Sequence, residues 1–158
     1  MKGIYLDNAA TTPTDPRVIE AMMPYFTQIY GNASSMHTYG TRSKEALENS
    51  RAKIASYIGC QPDELLFTSS GSESNNMALK GIAFANRNKG NHIIVSAIEH
   101  DCILNTFKWL EEEGFSITLV PVDSYGTLDL QALERAIKPE TILVSVMYAN
   151  NEIGTIQP

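Results

Sequence analysis

Ile142-Leu143-Val144-Ser145-Val146-Met147 decides how the second half of this chain is read. The run is apolar nearly throughout, the pattern of a strand covered on both faces. Working back from it, Asp129 caps a short helix that Pro139 closes. Ser116 to Val122 reads as a strand, with Ile117, Leu119, Val120 and Val122 apolar. Asp101 to Glu113 reads as a helix ended by Gly114, with Ile103, Phe107 and Leu110 on one face. His92 to Ala97 is another strand, Ser72 to Asn88 a helix, and Leu65-Leu66-Phe67 a short buried strand. Strands alternating with helices of this length require crossovers and hence a largely parallel sheet. The expected fold is therefore α/β, a largely parallel sheet with helices on both faces, cut at its last strand.

Before Pro62 the pattern is helical. Asp15 is a candidate N-cap with Pro16 at the first helical position. Val18, Met22, Tyr25, Phe26 and Ile29 recur at helical spacing, and Pro24 should kink or break that helix. After a loop from Gly31 to His37, a second helix is expected from about Arg42 to Ile58, with Leu47, Ser50, Ile54 and Ile58 on one face and Gly59 as its stop. The expected organisation is a helical segment over 1–60 and a partial α/β domain over 61–158, together one incomplete domain.

Twelve basic against eighteen acidic side chains leave a net charge of -6, and no Lys/Arg cluster exists to grip nucleic acid. The longest apolar run, Thr141 to Ala149, is too short to span a membrane. The opening Met-Lys-Gly-Ile-Tyr-Leu-Asp has no apolar signal region, so the expected location is the cytoplasm. Cys60 and Cys102 stand in no metal-ligand spacing with each other or with His37, His92 and His100. They read as free thiols, and no metal site is expected.

Three polar clusters carry the candidate chemistry. Phe67-Thr68-Ser69-Ser70-Gly71-Ser72-Glu73-Ser74-Asn75-Asn76 joins a strand to a helix. Backbone N–H groups at a helix N-terminus bind anions, Gly71 admits close approach and Ser72 adds a hydroxyl; serines there serve equally as plain caps. The stretch is not a G-x-S-x-G nucleophile elbow, because its fifth residue is Asn75. His100, in Glu99-His100, lies just past a strand end, where an imidazole can stack on a planar ligand or move a proton; a structural histidine is the alternative. Asn151, in Asn150-Asn151-Glu152-Ile153-Gly154, can orient a ring hydroxyl or simply serve a turn. All three clusters fall beyond the carboxyl ends of expected strands, the rim where open α/β sheets bind ligands.

Taken together these blocks resemble cysteine desulfurases of the NifS/IscS type. Tyr5-Leu6-Asp7-Asn8-Ala9-Ala10-Thr11-Thr12-Pro13 opens the chain as that family opens. Gly31-Asn32, Ser34-Ser35 with His37, the Phe67–Asn76 loop, Glu99-His100 and Thr141–Gly154 follow in the family's order. The resemblance covers essentially the whole chain and implies the N-terminal part of a fold-type I, class V aminotransferase-like enzyme with pyridoxal 5'-phosphate (PLP) as cofactor. It implies that Gly71 and Ser72 hold the cofactor phosphate. It further implies that His100 stacks on the pyridine ring and assists proton transfer, and that Asn151 contacts the ring hydroxyl and the substrate carboxylate. The implied reaction converts L-cysteine to L-alanine and leaves sulfur on an enzyme persulfide, for iron–sulfur assembly or tRNA thiolation. A sulfur-acceptor or scaffold protein and a homodimer are the implied partners, with neither nucleic acid nor membrane involved.

The chain departs from the family pattern in places. Ala33 stands where many members carry proline, and Ser70-Gly71-Ser72 replaces the common Gly-Ala/Gly-Thr. No lysine here follows a Ser-x-His, and neither Cys60 nor Cys102 matches the persulfide cysteine. The 158 residues alone are therefore expected to be inactive and to hold PLP weakly at most. A related class V enzyme such as selenocysteine lyase, or a non-catalytic half-subunit needing a partner chain, are the competing readings.

Overall fold

The computed structural model describes residues 3–158; Met1 and Lys2, which open the stretch read for a signal region, lie outside them. The chain divides into two compact units, one ending at Phe67 and one spanning Thr68–Pro158.

The first unit is helical. Helix α1, Pro16–Thr27, is capped by Asp15, whose Oδ1 accepts the Arg17 N–H at 2.8 Å. It runs through Pro24 rather than breaking there. Pro24 lies in the final turn, where its missing N–H removes a single bond, and its carbonyl accepts the N–H groups of Gln28 and Ile29 at 2.8 and 2.9 Å. Helix α2, Thr38–Ile58, begins at Thr38 rather than near Arg42, because His37 caps it: Nδ1 accepts the Gly40 N–H at 3.3 Å. Gly59 ends it at φ 75°, the left-handed stop that only glycine adopts without strain. Leu47, Ile54 and Ile58 remain partly or largely exposed, and the buried positions of α2 are Gly40 and Ala55.

Leu65-Leu66-Phe67 is not a strand. A 3-10 turn at Pro62–Glu64 leads into it, and Leu66 stays 70% exposed. Apolar content alone cannot make a strand: the backbone needs a neighbour to bond, and no described strand pairs with this segment.

The second unit alternates helix and strand: α3 Gly71–Ala85, β1 His92–Ser96, α4 Asp101–Glu112, β2 Ser116–Val120, α5 Leu130–Ala136 and β3 Thr141–Ser145. The sheet order is β2-β1-β3, with both pairings parallel. Every residue of β1 is buried, as a central strand demands. Ile93 and Val95 face one way, into a cluster with Leu79 and Ala83 of α3 and Ile103, Phe107 and Leu110 of α4. Ile94 faces the other way, with Val120, Leu128 and the inner side of α5. Full burial of each large side chain contributes about 1.5–3 kcal/mol. β2 stops at Val120 because Pro121 has no N–H with which to continue the ladder.

A polar rung crosses this apolar sheet. His92 is buried, its Nδ1 2.7 Å from Thr141 Oγ1 on β3 and its Nε2 2.8 Å from Thr118 Oγ1 on β2. A bulge between the pairs His92↔Thr141 and Ile93↔Leu143 brings Thr141 opposite the imidazole. Burial pushes the His92 pKa down from its ordinary value, and nearby Lys138 adds to the shift while Glu140 opposes it.

The connections place the site. From β1 the chain crosses by α4 on one face to reach β2, then returns by α5 on the opposite face to β3 on the far side of β1. The strand order thus reverses between β1 and β3. In open α/β sheets a crevice opens at such a switch point, outside the carboxyl ends of the strands.

Candidate active site at the carboxyl edge of the sheet

The loop before α3 is built to present backbone donors. Ser70 is the N-cap, its Oγ accepting the Glu73 N–H at 3.2 Å. Glu73 turns back, its Oε2 accepting the Ser69 N–H at 2.6 Å and the Ser69 hydroxyl at 2.7 Å. The hydroxyl first, and then the N–H, hold the Glu73 carboxyl below the usual range. Gly71 and Ser72 open the helix, where backbone N–H groups have no intrahelical acceptor. A Cβ added at Gly71 would meet nothing within 4 Å, and Gly71 is not among the glycines with positive φ. Neither packing nor backbone conformation of this chain calls for glycine there. Two N–H groups beside open space at the positive end of a helix dipole fit a phosphate.

His100 caps α4, and its Nδ1 accepts the Cys102 N–H at 3.1 Å. That bond places the proton of the neutral ring on Nε2, the nitrogen left for other partners. The N-terminal turns of α3 and α4 lie side by side. Asn75 Nδ2 is 3.4 Å from Cys102 Sγ, and Thr106 Oγ1 is 3.0 Å from Asn76 Oδ1.

At the switch point lies a cleft of about 340 Å³, lined among others by His100, Asp101, Met147, Asn150, Asn151 and Glu152. Its two walls are the segments that follow β1 and β3. Buried Glu99 reaches from one wall to the other, where its Oε1 accepts the Met147 N–H. Burial pushes the Glu99 carboxyl up, partly offset by that N–H. Buried Asn150 reaches back, its Nδ2 donating to the Ile98 carbonyl at 3.1 Å. Asn151 is exposed; its Nδ2 donates to Glu152 Oε1 at 3.0 Å, and its Oδ1 makes no hydrogen bond to the described residues.

The structure therefore brings His100 and Asn151 into one cleft. Gly71 and Ser72 do not line it; they open the neighbouring helix, beyond an extended segment rather than the expected strand. Glu99 and Asn150 stood in the sequence only as members of their clusters. Their cross-wall bonds join residues far apart in the chain and left no local signal. His100 as a cap was readable in principle, since it directly precedes acidic Asp101 at a helix start. Among the described residues no group of three metal-ligating side chains occurs, and no helix is long and apolar enough to cross a membrane.

A doubly covered parallel sheet with an anion-ready helix start and an imidazole–amide cleft at its switch point is the architecture of an α/β domain suited to a phosphate-bearing ligand. The aminotransferase class-V family model matches residues 4–158, and the chain belongs to that family. It is 54% identical over 157 residues to the cysteine desulfurase IscS of Methanosarcina thermophila, a match covering 99% of this chain and 39% of the relative. A solved NifS-like protein superposes with a TM-score of 0.92 at 43% identity, over 96% of this chain and 42% of that one. A solved structure described as SspA in complex with cysteine matches with a TM-score of 0.89 at 41% identity, over 98% of this chain and 44% of its own. The chain spans about 40% of the length of the curated relatives it matches. Cysteine desulfurases of this family depend on PLP, and the free donors at α3 fit its phosphate.

Proposed function

We propose that this chain forms the phosphate-holding and ring-facing side of the PLP site of a cysteine desulfurase. The observation that carries the reading is the pairing, on one sheet edge, of the unpartnered N–H groups at Gly71 and Ser72 with the His100–Asn151 cleft. The identity to IscS relatives supports it. When bound, PLP supplies the electron sink that stabilises negative charge at the substrate's α-carbon.

This chain's residues do the rest of what can be assigned to it. The N–H groups of Gly71 and Ser72, with the Ser72 hydroxyl, hold the phosphate. His100, oriented through Nδ1 by its own helix, packs on the ring and gives or takes a proton at Nε2. Asn151 accepts from the ring hydroxyl at its free Oδ1, and the second hydrogen of its Nδ2 donates to the substrate carboxylate. L-cysteine is the proposed substrate, L-alanine the product, and an acceptor protein takes the sulfur. A homodimer located in the cytoplasm is the proposed context. No lysine among these residues follows a Ser-x-His, so desulfuration by these 158 residues alone is not expected.

The test uses the protein expressed from its complete gene, assayed for alanine and sulfide from L-cysteine, with L-selenocysteine as the competing substrate. Ser72→Ala should weaken PLP binding about tenfold, the loss of one hydrogen bond to a charged group. His100→Asn should lower turnover by about 10²–10⁴-fold. Turnover of selenocysteine but not cysteine would move the assignment to a selenocysteine lyase. No PLP binding would remove it altogether.

A further inference from the structure

We infer that Glu99 and Asn150 are positioning residues, a two-rung brace that sets the gap across the crevice between His100 and Asn151. The inference deepens the proposed PLP site and rests on that reading.

Strand pairing between β1 and β3 ends at Val95↔Ser145. Beyond it the backbones must part for a crevice to exist, so backbone bonds can no longer hold the walls. Side chains take over. Glu99 Oε1 accepts the Met147 N–H, and Asn150 Nδ2 donates to the Ile98 carbonyl at 3.1 Å. The two side chains reach in opposite directions, one from each wall, while both donors lie on the wall that follows β3. Each brace residue immediately precedes a proposed site residue: Glu99 stands before His100, and Asn150 before Asn151. The brace residues are buried at 8% and 9% exposure, while their neighbours are exposed. One side chain of each pair reaches across and the next faces outward.

Asn150 also fixes the loop that carries Asn151. Its Oδ1 accepts the N–H groups of Glu152 and Ile153 at 2.8 and 3.1 Å. Its own N–H donates to the Thr155 carbonyl, and its carbonyl accepts the Gly154 N–H, both at 2.9 Å. The turn closes through Gly154 at φ 76°. Asn151 is thus held at the crown of a loop whose base is tied to the opposite wall. Positioning of this kind matters because ligand groups must meet their partners within a fraction of an ångström.

The experiment compares four variants of the protein expressed from its complete gene. Glu99→Ala and Asn150→Ala remove a rung. Glu99→Gln keeps an acceptor for Met147. Asn150→Asp keeps the acceptor for Glu152 and Ile153 but loses the donor to Ile98. Two readouts are taken: amide exchange at Met147 without PLP, and the PLP dissociation constant. In Glu99→Ala the Met147 amide should exchange about tenfold faster while Ile93–Val95 stay protected, and PLP should bind about tenfold more weakly. Glu99→Gln should restore both. Asn150→Asp should weaken PLP binding with the 151–154 turn amides still protected.

Unchanged exchange at Met147 in Glu99→Ala would overturn the brace. So would faster exchange with unchanged PLP affinity, since the rung would then be structural only. Should Glu99→Ala not fold, Asn150→Asp and Glu99→Gln decide: wild-type PLP affinity in Asn150→Asp overturns the proposal. A parent protein that binds no PLP refutes the proposed function instead, and there the amide readout still reports whether the rungs exist.

Discussion

His100 has a structural task at one ring nitrogen and a proposed chemical one at the other, and substitutions can separate them. Nδ1 caps α4, while Nε2 is free for chemistry. His100→Asn should keep the cap, because asparagine is among the best N-cap residues; His100→Ala should lose about 1 kcal/mol of stability. Urea unfolding of the two variants checks this, and equal stability would show that the cap bond contributes nothing. His92 is the contrasting case, a histidine with both nitrogens consumed inside the sheet. Its folded pKa lies below the ordinary value of 6.5. As pH falls through that value the unfolded chain takes up the proton first, so stability should be full above about pH 6.5 and decline below it. His92→Gln should flatten that part of the stability–pH profile, and an unchanged slope would assign the decline to other groups. Sequence alone put His92 on a strand and His100 past one. It did not show that His92 bonds across three strands, because the partners Thr118 and Thr141 meet it only through the pairing register.

At the scale of elements, the helix ends were the most legible features. Asp15, Asp129 and Gly59 act where local rules place them, since a cap is an interaction between near neighbours in sequence. Ser70→Ala should cost about 1 kcal/mol by unpairing the first turn of α3. The entrance to the sheet is tighter. A Cβ at Gly90 would run into the carbonyl of Glu140, the group that accepts the His92 N–H at 3.1 Å. Gly90→Ala must therefore push apart the starts of β1 and β3, at a cost of about 3 kcal/mol. Thermal or urea unfolding reads the loss, and a fully stable variant would mean that the strand entrances can shift apart freely. Leu65–Phe67 shows where local reading fails. An apolar triplet after a proline looks like a strand, but strand formation is decided by a partner, and no described strand pairs with it.

For the whole molecule, the distribution of burial sets the expected dynamics. Phe107 is 2% exposed at the centre of the cluster between β1, α3 and α4. Phe107→Ala should cost about 3–5 kcal/mol, much of the roughly 5–15 kcal/mol that holds an ordinary domain. By contrast α1 has no buried residue. Amide exchange of the 158-residue chain should be slowest at Ile93–Val95 and fast throughout α1. Equal protection of the two would refute this ordering. By itself the sequence determined the alternation of helices and strands, the parallel pairing that such crossovers require, the caps at Asp15 and Asp129 with the stop at Gly59, and the three polar clusters. These depend on periodicity, backbone preferences and side chains acting on near neighbours. Only the tertiary structure decided that the strand order reverses between β1 and β3, that His100 and Asn151 face one cleft, and that Glu99 and Asn150 tie its walls together. Those facts follow from which strands become neighbours, a competition among long-range pairings that no short stretch of residues records.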